Sequence, residues 1–337
     1  MRTVFVTGSA GFIGYHLCRL LLEEGFRVVG YDGMTDYYDV TLKRRRHQML
    51  MQHEHFSATE AMLEDEAALA EAFAGNEPQV VVHLAAQAGV RYSLENPRAY
   101  VNSNLIGTFN VLECVREAPV EHLLMASTSS VYGANEKMPF VETDQADTQL
   151  TLYSATKKAT ESMGHAYAHL WKQPTTMFRF FTVYGPWGRP DMALFRFTEA
   201  ILNDRPIDVY NHGNMARDFT YVGDLVRGIR LLIDTPPQEP ETPRDIADGD
   251  TLSPVAPFRI VNIGNSDKVS LSRFIEEIEA ATGRKAARNY MDMQKGDVPE
   301  TWADCNLLRQ LTGYRPQTAI RDGVRAFVDW YRDYNKR

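Results

Sequence analysis

The feature that most restricts the fold of this chain is a glycine-rich turn close to its first residue. The apolar run Thr3–Thr7 is followed by Gly8-Ser9-Ala10-Gly11-Phe12-Ile13-Gly14, and a helical pattern then continues to Glu24. Glycines permit a tight turn and a close approach of the backbone to a pyrophosphate, and the N-terminus of the next helix favours negative charge. The order of strand, turn and helix predicts a dinucleotide site, although an isolated motif of this kind also fits an ordinary turn.

Asp32 follows 18 residues after Gly14, at the end of the second predicted strand. Its carboxylate suits a ribose diol and repels a 2′-phosphate, so NAD is favoured over NADP. An aspartate that only forms a turn at a strand end is the alternative, and the glycine-rich turn makes the cofactor interpretation the stronger of the two.

Between Thr3 and Phe181, short apolar or β-branched runs alternate with segments of helical period. The alternation predicts an α/β fold, a Rossmann-type doubly wound parallel sheet with right-handed crossovers. The predicted strands are Thr3–Thr7, Arg27–Tyr31, Val80–Leu84, His122–Ala126 and Thr175–Phe181. The predicted helices between them are Phe12–Glu24, Glu66–Phe73, Arg98–Arg116 and Ser154–Trp171.

After Phe181 the alternation ends, which predicts a second lobe. Residues 1–183 are expected to form the NAD-binding domain, with segments near 218–235 and 258–264 returning to it, and residues 184–337 a smaller α/β substrate lobe. Helical patterns lie at Leu271–Thr282 and Ile320–Tyr334. The stretch Thr235–Pro257 holds six prolines and predicts a surface loop.

The chain carries 44 acidic against 36 basic residues, a formal net charge of -8. This balance disfavours nucleic acid and anionic membranes as partners, and an anionic substrate would need local arginines. The one basic run, Lys43 to Arg46, has helical character and is predicted to form a solvated helix face.

Three cysteines, Cys18, Cys114 and Cys305, are far apart and lack CxxC or metal-ligand spacing. They favour a reducing, cytoplasmic location over a disulfide framework, and no metal site is expected. The sequence shows no signal-peptide pattern and no apolar stretch of about 18 residues that could span a bilayer.

Tyr153 is the only one of sixteen tyrosines with a lysine four residues later, Lys157. One helical turn separates the two residues, so they share a face. A phenol normally has a pKa of about 10, and a nearby ammonium favours its ionised form. The pair predicts Tyr153 as a general base, whereas a solvent-facing pair on an amphipathic helix is the alternative.

Four hydroxyl residues, Ser127-Thr128-Ser129-Ser130, follow the strand predicted at His122–Ala126. Open α/β sheets expose their ligand crevice at such strand ends, so these hydroxyls can orient a substrate alcohol toward Tyr153. A loop rich in serine and threonine without a catalytic role is the alternative. The glycine-rich turn and the Tyr153 pair together favour the catalytic interpretation.

Five segments in order along the chain, TGSAGFIG, HLAAQAGVRYS, STSSVYG, YSATK and RFFTVYGPWGRPDM, resemble the extended short-chain dehydrogenase/reductase family. The resemblance covers essentially the whole chain. Within that family, Gln87–Ser93, Gly188–Met192 and Tyr210–Met215 are most similar to the UDP-glucuronate 4-epimerases. The resemblance implies an NAD-dependent isomerase that inverts carbon 4 of a UDP-uronic acid, and it implies a homodimer.

By that resemblance, Thr128, Tyr153 and Lys157 form the catalytic set. Tyr153 would take the proton of the sugar 4-hydroxyl while NAD receives the hydride of carbon 4, and the hydride would return to the other face of the rotated 4-keto sugar. Cofactor contacts are implied for Gly8, Gly11, Phe12, Ile13, Gly14, Asp32, Leu84, Ala85, Ala86, Gln87, Ser103, Tyr153 and Lys157.

The resemblance also implies substrate contacts in the smaller lobe and along the hydroxyl segment. Arg189 and Thr182 would receive the sugar carboxylate, Arg217 the diphosphate, Tyr210 the uracil and Asp297 the ribose. Thr128 and Ser129 would contact the sugar.

Three other functions stay open at this point, whereas a 4,6-dehydratase does not fit the sequence. Related 4,6-dehydratases carry two acids where this chain has Ser129 and Ser130, and decarboxylases tend to carry a glutamate that is absent between Ser127 and Tyr132. Decarboxylation is disfavoured, yet a 4-keto uronate is a β-keto acid that loses carbon dioxide readily. A neutral UDP-hexose 4-epimerase and a non-catalytic module that senses NAD or a nucleotide sugar are the remaining alternatives.

Overall fold

The computed structural model describes residues 1–294 and 296–336, so Lys295 and Arg337 of the predicted second lobe lie outside the described residues. The strands, in chain order, are β1 (Thr3–Thr7), β2 (Arg27–Asp32), β3 (Phe56–Glu60), β4 (Val80–His83), β5 (His122–Ala126), β6 (Thr175–Phe180), β7 (Thr182–Tyr184), β8 (Ile207–Val209), β9 (Ala216–Tyr221), β10 (Phe258–Ile263), β11 (Lys268–Ser270), β12 (Arg288–Tyr290) and β13 (Glu300–Thr301).

The helices, in chain order, are α1 (Phe12–Glu23), α2 (Val40–Leu50), α3 (Glu66–Ala74), α4 (Tyr92–Glu95), α5 (Pro97–Tyr100), α6 (Gly107–Glu117), α7 (Leu152–Trp171), α8 (Ala193–Leu202), α9 (Val222–Ile233), α10 (Leu271–Thr282), α11 (Asn306–Thr312) and α12 (Ile320–Asn335). A π-helical segment, Val101–Ile106, joins α5 to α6, and a single 3-10 turn, Ser129–Tyr132, follows β5.

The large sheet is parallel, with its strands in the order β10, β6, β5, β4, β1, β2, β3. β1 is central, and Val4 pairs with Val28 of β2 on one side and with Val80 of β4 on the other. From β1 the strand order proceeds to β2 and β3 on one side and to β4, β5, β6 and β10 on the other. This reversal of strand order leaves a ligand crevice at the C-terminal ends of the strands. The predicted Rossmann-type doubly wound fold is confirmed.

Helices cover both faces of this sheet. On one face α1 packs against α9, and Leu17 and Ile229 of these helices lie in a buried cluster with Val4 of β1. On the other face, Leu69 and Leu112 of α3 and α6 pack over the sheet in a second buried cluster. Both faces of the sheet are apolar because helices cover a parallel sheet on both sides.

A smaller sheet is built around β9, which pairs with β7, β11 and β13, while β8 pairs with β12. Phe219 of β9 stacks on Phe274 of α10, with ring centroids 4.1 Å apart, in a core that α12 completes. β10 lies at the edge of the large sheet. The predicted boundary between residues 183 and 184 falls inside β7, and the division of the chain into two domains stays a prediction.

Two of the differences from the sequence-based expectation concern elements that precede β5. The helix predicted at Arg98–Arg116 begins at Pro97, where Asn96 caps it. The wide turns of the π-helical segment then divide it into α5 and α6. β3 was not predicted, because this edge strand is largely exposed and lacks a clear apolar alternation.

The surface loop Thr235–Pro257 packs against α7 and against β10. The Thr251 hydroxyl accepts a hydrogen bond from the Ile260 N–H at 3.0 Å, and the Ser253 N–H donates to the Phe258 carbonyl at 2.8 Å. The loop therefore satisfies backbone groups at the open edge of the large sheet, which would otherwise be available for pairing with another strand.

The prediction of a solvated basic face on α2 was wrong for Lys43 and Arg46, which are 6% and 0% exposed. Lys43 donates to the Thr35 carbonyl at 2.7 Å, and Arg46 donates to the carbonyls of Ala10 and Trp187. Buried cations are tolerated here because backbone carbonyls satisfy them. Across the described ranges, no helix has the length and apolar character needed to cross a bilayer.

Candidate active site

A cleft of about 1330 Å³ lies at the C-terminal ends of the large-sheet strands and extends to the smaller sheet. Every residue that the sequence singled out for catalysis, cofactor or substrate lines this one cleft: Gly8, Gly11, Phe12, Ile13, Gly14, Asp32, Leu84, Ala85, Ala86, Gln87, Ser103, Thr128, Ser129, Tyr153, Lys157, Thr182, Arg189, Tyr210, Arg217 and Asp297. The structure thus brings together residues that are up to 289 positions apart, from Gly8 to Asp297.

The glycine-rich turn joins β1 to α1 in a conformation that only glycine fits. Gly8 has a φ of +75°, and a Cβ at Gly14 would lie 2.0 Å from the Gly8 carbonyl oxygen. Gly11 caps α1 without a side-chain hydrogen bond to the first turn. The N–H groups of that turn therefore face the cleft beside a backbone that a phosphate can approach closely.

Asp32 ends β2 at the far side of this turn. Its Oδ2 accepts from the Ala10 N–H at 3.0 Å and its Oδ1 from the Met34 N–H at 2.9 Å. Two backbone donors thus fix the carboxylate, which is 8% exposed at the cleft wall. The uncapped helix N-terminus and the fixed carboxylate together fit an NAD molecule, with pyrophosphate and ribose on adjacent groups.

Leu84, Ala85, Ala86 and Gln87 follow β4 and continue the cofactor side of the cleft. The Thr7 hydroxyl accepts from the N–H groups of Leu84 and Ala85, each at 3.1 Å, so the segment is tied to β1. Ser103 lies on the π-helical segment, whose wide turn places it at the cleft. The small side chains of Ala85 and Ala86 leave room for a ligand beside the backbone.

Thr128 and Ser129 lie two and three residues after the end of β5. Thr128 is the N-cap of the 3-10 turn, and its hydroxyl accepts from the Ser130 N–H at 3.2 Å. The capping interaction holds the hydroxyl in place, while the side chain remains part of the cleft wall.

Tyr153 and Lys157 lie in the first turns of α7, whose N-terminus is fixed by a capping box of Thr151 and Ser154. Burial raises the pKa of Tyr153, and the neighbouring Thr128 hydroxyl and the charge of Arg189 lower it. Burial also lowers the pKa of Lys157 to about 8. The arrangement places a phenol, a hydroxyl and an ammonium in one cleft, where the phenol can exchange a proton with a ligand alcohol.

Arg189 and Thr182 lie on the smaller-sheet side of the cleft. The Arg189 guanidinium pairs with both oxygens of Asp191, and the Tyr37 hydroxyl donates to Asp191 as well, at 3.1 Å. The charge of Asp191 raises the pKa of Arg189 against the effect of burial, so the guanidinium remains a cation. Asp191 was part of a quoted motif, but nothing in the sequence indicated its pairing with Arg189.

Tyr210, Arg217 and Asp297 form the far end of the cleft together with Arg91. Arg91 donates to Asp297 at 2.9 Å and lies over the Tyr210 ring, 4.8 Å from its centroid. The Arg217 guanidinium is held by the carbonyls of Val298 and Pro299. Arg91 was missed as a site residue, although its position inside the segment QAGVRYS was a usable signal.

Arginines are concentrated in this cleft despite the net negative charge of the chain. Its wall includes the side chains of Arg91, Arg189, Arg196, Arg205 and Arg217. Arg91, Arg189 and Arg205 are paired with Asp297, Asp191 and Glu199. The arginines therefore offer planar donors suited to phosphate and carboxylate groups, within a cleft that also carries acidic side chains.

Known proteins resemble the chain over nearly its full length. Residues 4–247 match the NAD dependent epimerase/dehydratase family. A protein of Rhizobium meliloti (strain 1021) named "Probable UDP-glucuronate 4-epimerase" is 57% identical over 332 residues, covering 98% of this chain and 97% of that protein. UDP-glucuronate 4-epimerase 1 of Arabidopsis thaliana is 44% identical over 337 residues, covering 98% of this chain and 77% of that protein.

Among solved structures, UDP-glucuronic acid 4-epimerase from Bacillus cereus in complex with UDP-glucuronic acid and NAD matches with a TM-score of 0.86. The two chains are 31% identical, and the match covers 98% of this chain and 99% of that one.

Proposed function

Because this chain belongs to the NAD dependent epimerase/dehydratase family, we propose that it binds NAD and interconverts UDP-glucuronate and UDP-galacturonate by inverting carbon 4 of the sugar. The observation that carries the proposal is the placement of Tyr153, Lys157 and Thr128 in one cleft with the Arg189 guanidinium. Relatives named UDP-glucuronate 4-epimerases support the choice of substrate.

Tyr153 is proposed as the general base that takes the proton of the sugar 4-hydroxyl and later returns it. Lys157, one turn further along α7, favours the phenolate through its positive charge. Thr128 holds the sugar hydroxyl toward Tyr153. NAD, when bound, would supply the hydride acceptor for carbon 4 and the donor for its return, so the reaction has no net oxidation.

Arg189 and Thr182 are proposed to hold the carboxylate of the sugar, and Ser129 to contact the ring beside Thr128. A carboxylate removed from water needs such fixed donors. A firmly held carboxylate also favours epimerisation over loss of carbon dioxide. Decarboxylation requires the bond between the carboxylate and the sugar ring to lie parallel to the π orbitals of the 4-keto group, and a fixed carboxylate can prevent that orientation.

The remaining contacts are proposed from the family resemblance, and all of these residues line the same cleft. Arg217 is proposed for the diphosphate, Tyr210 for the uracil and Asp297 for the ribose of UDP. On the cofactor side, the proposed NAD contacts are Gly8, Gly11, Phe12, Ile13, Gly14, Asp32, Leu84, Ala85, Ala86, Gln87, Ser103, Tyr153 and Lys157. In this scheme residues 1–183, with 218–235 and 258–264, form the NAD-binding domain and residues 184–337 the nucleotide-sugar lobe.

The test is incubation of the purified protein with UDP-glucuronate, first without added NAD and then with it, followed by ion-exchange separation of the products. We expect UDP-galacturonate in both cases if NAD is retained during purification. Absence of the epimer even with NAD supplied rejects the proposal. A pentose nucleotide with released carbon dioxide would identify a decarboxylase, and faster conversion of UDP-glucose would identify a neutral-sugar epimerase.

We further propose that the protein is a cytoplasmic homodimer. Ile106 and Phe109, both 45% exposed, form an apolar patch at the junction of the π-helical segment and α6, and a second copy would cover it. Three buried, unpaired cysteines suit a reducing compartment. Light scattering tests the dimer, and Phe109→Asp should shift the mass toward that of the monomer.

A further inference from the structure

Glu161 is a buried carboxylate of α7 that the proposed reaction does not use. Its side chain is 2% exposed, and Arg179 of β6 donates to both of its oxygens, from Nε to Oε1 and from Nη2 to Oε2, each at 2.9 Å. Burial alone would raise the pKa of Glu161, but Arg179 holds it below its usual value. Glu161 is therefore a buried carboxylate anion, one helical turn after Lys157 on α7.

A third donor to Glu161 is the Ser127 hydroxyl, at 2.6 Å from Oε1. Ser127 is the first residue after β5 and directly precedes Thr128, and its N–H donates to the Phe178 carbonyl of β6 at 2.8 Å. Glu161 thus connects the end of β5 to α7, the helix that carries Tyr153 and Lys157.

Resting on the function proposed above, we propose that Glu161 is a positioning residue that fixes the Thr128 hydroxyl relative to Tyr153 and Lys157 by binding Ser127. Thr128 belongs to the segment after β5, whereas Tyr153 and Lys157 lie on α7. The hydrogen bond from Ser127 to Glu161 links that segment directly to α7 beside the cleft. Misplacement of a reacting group by about 1 Å costs a factor of roughly 100 in rate.

The same carboxylate acts on Lys157, which lies one helical turn before it. The negative charge of Glu161 raises the pKa of Lys157 against the lowering effect of burial. The charged and titratable groups around the pair are Lys158 of α7, Arg179 of β6, His83 of β4, and Tyr132 and Glu142 from the segment after β5. Glu161 therefore helps to keep the Lys157 ammonium charged at neutral pH.

Ser127→Ala removes the link without breaking the buried ion pair. We expect kcat for UDP-glucuronate to fall about tenfold with KM changed less than about twofold, because the Ser127 hydroxyl is bound to Glu161 and the proposed substrate contacts, Thr128 and Ser129 included, are unchanged. Ser253→Ala is the matched control, since the buried Ser253 hydroxyl bonds His165 of the same helix at 2.8 Å, outside the cleft. That variant should retain the wild-type kcat.

Glu161→Gln keeps an acceptor for Ser127 and removes the charge. We expect the titration midpoint of Lys157, followed by NMR of isotope-labelled lysine and assigned with Lys157→Gln, to move to lower pH. Glu279→Gln, which removes a buried carboxylate of α10 that is 5% exposed, should leave the midpoint unchanged. This measurement needs no turnover, so it tests the effect of Glu161 on Lys157 independently of whether the proposed function is correct.

A wild-type kcat in Ser127→Ala, or an equal loss in Ser127→Ala and Ser253→Ala, would overturn the positioning role. An unmoved Lys157 midpoint in Glu161→Gln would overturn the electrostatic part. Because loss of a buried charge can prevent folding, the comparison of the two serine variants decides the matter if Glu161→Gln is not recovered folded.

Discussion

Arg189 and Asp191 form a bidentate ion pair at the wall of the cleft, with Nε donating to Oδ1 at 3.0 Å and Nη2 to Oδ2 at 2.5 Å. The pair holds the plane of the guanidinium fixed, and the Tyr37 hydroxyl donates to the same carboxylate at 3.1 Å. Asp191 occupies the Nε and Nη2 edge, so it is the Nη1 end of the fixed guanidinium that can meet the proposed substrate carboxylate without first being ordered, which reduces the entropic cost of binding.

Arg189→Lys should weaken binding of a uronate selectively. Lysine keeps the charge but loses the fork, and a hydrogen bond to a charged group contributes about 1.5–3 kcal/mol, or roughly 10- to 100-fold in KM for UDP-glucuronate. UDP-glucose lacks the carboxylate and serves as the internal control, with an expected change of less than about threefold. Equal increases in KM for both sugars would show that Arg189 does not bind the carboxylate.

Tyr153→Phe should remove turnover while leaving binding intact. General-base catalysis contributes about 10²- to 10⁴-fold, so kcat should fall by at least about 100-fold, whereas calorimetric titration should still detect UDP-glucuronate and NAD. Tyr314→Phe is the matched control, because its hydroxyl bonds Asp224 at 2.9 Å away from the cleft. Activity of Tyr153→Phe equal to that of the control contradicts the proposed base.

Asp32→Asn should reduce the retention of NAD. The carboxylate holds the N–H groups of Ala10 and Met34 and is proposed to bind the ribose diol, so its loss weakens both the turn and the cofactor contact. We expect the NAD content of the purified protein to fall at least about tenfold and the exclusion of NADP to relax. Asp36→Asn makes the same charge change at an exposed position nearby and should retain wild-type NAD content.

Local pattern predicted the large sheet, the glycine-rich turn, Asp32 and the Tyr153–Lys157 pair, whereas the substrate contacts of the smaller lobe were implied by the family resemblance. The carboxyl ends of parallel strands lie along one edge of the sheet, so the sequence alone places Asp32, Thr128 and the glycine-rich turn along the same edge. Repeated apolar runs likewise predicted the strands of the covered sheet, whereas the exposed edge strand β3 lacked that signal.

Contacts between side chains distant in sequence could not be predicted in the same way. The basic neighbours of Arg46 in the sequence predicted a surface cation, yet its guanidinium donates to the carbonyl of Trp187, 141 residues later. The link between Ser127 and Glu161 depends on how β5 packs against α7, which no spacing in a single sequence reveals. The fold determines such pairs, and they govern the electrostatics of the cleft.

Two buried histidines, His83 and His122, and the half-buried His16 should make the protein sensitive to acid. Burial lowers the pKa of His16 to about 4, of His83 to about 3 and of His122 to about 4. These side chains are neutral in the folded protein, whereas an unfolded histidine takes up a proton near its ordinary pKa of about 6.5. The free energy of unfolding should therefore be highest above pH about 6.5 and fall as the pH decreases toward about 4, by about 3 kcal/mol for each histidine.

Urea denaturation of His122→Gln between pH 4 and 7.5 isolates one of these contributions. The His122 ring bonds the Thr176 hydroxyl at 2.9 Å and the Ile233 carbonyl at 3.3 Å, so the variant is expected to be less stable than the wild type at pH 7. The difference between the two proteins should shrink as the pH falls, because only the wild type must hold His122 unprotonated. His212→Gln, at a side chain that is 61% exposed, should follow the wild-type curve. Parallel curves for His122→Gln and the wild type would show that His122 takes up no additional proton on unfolding.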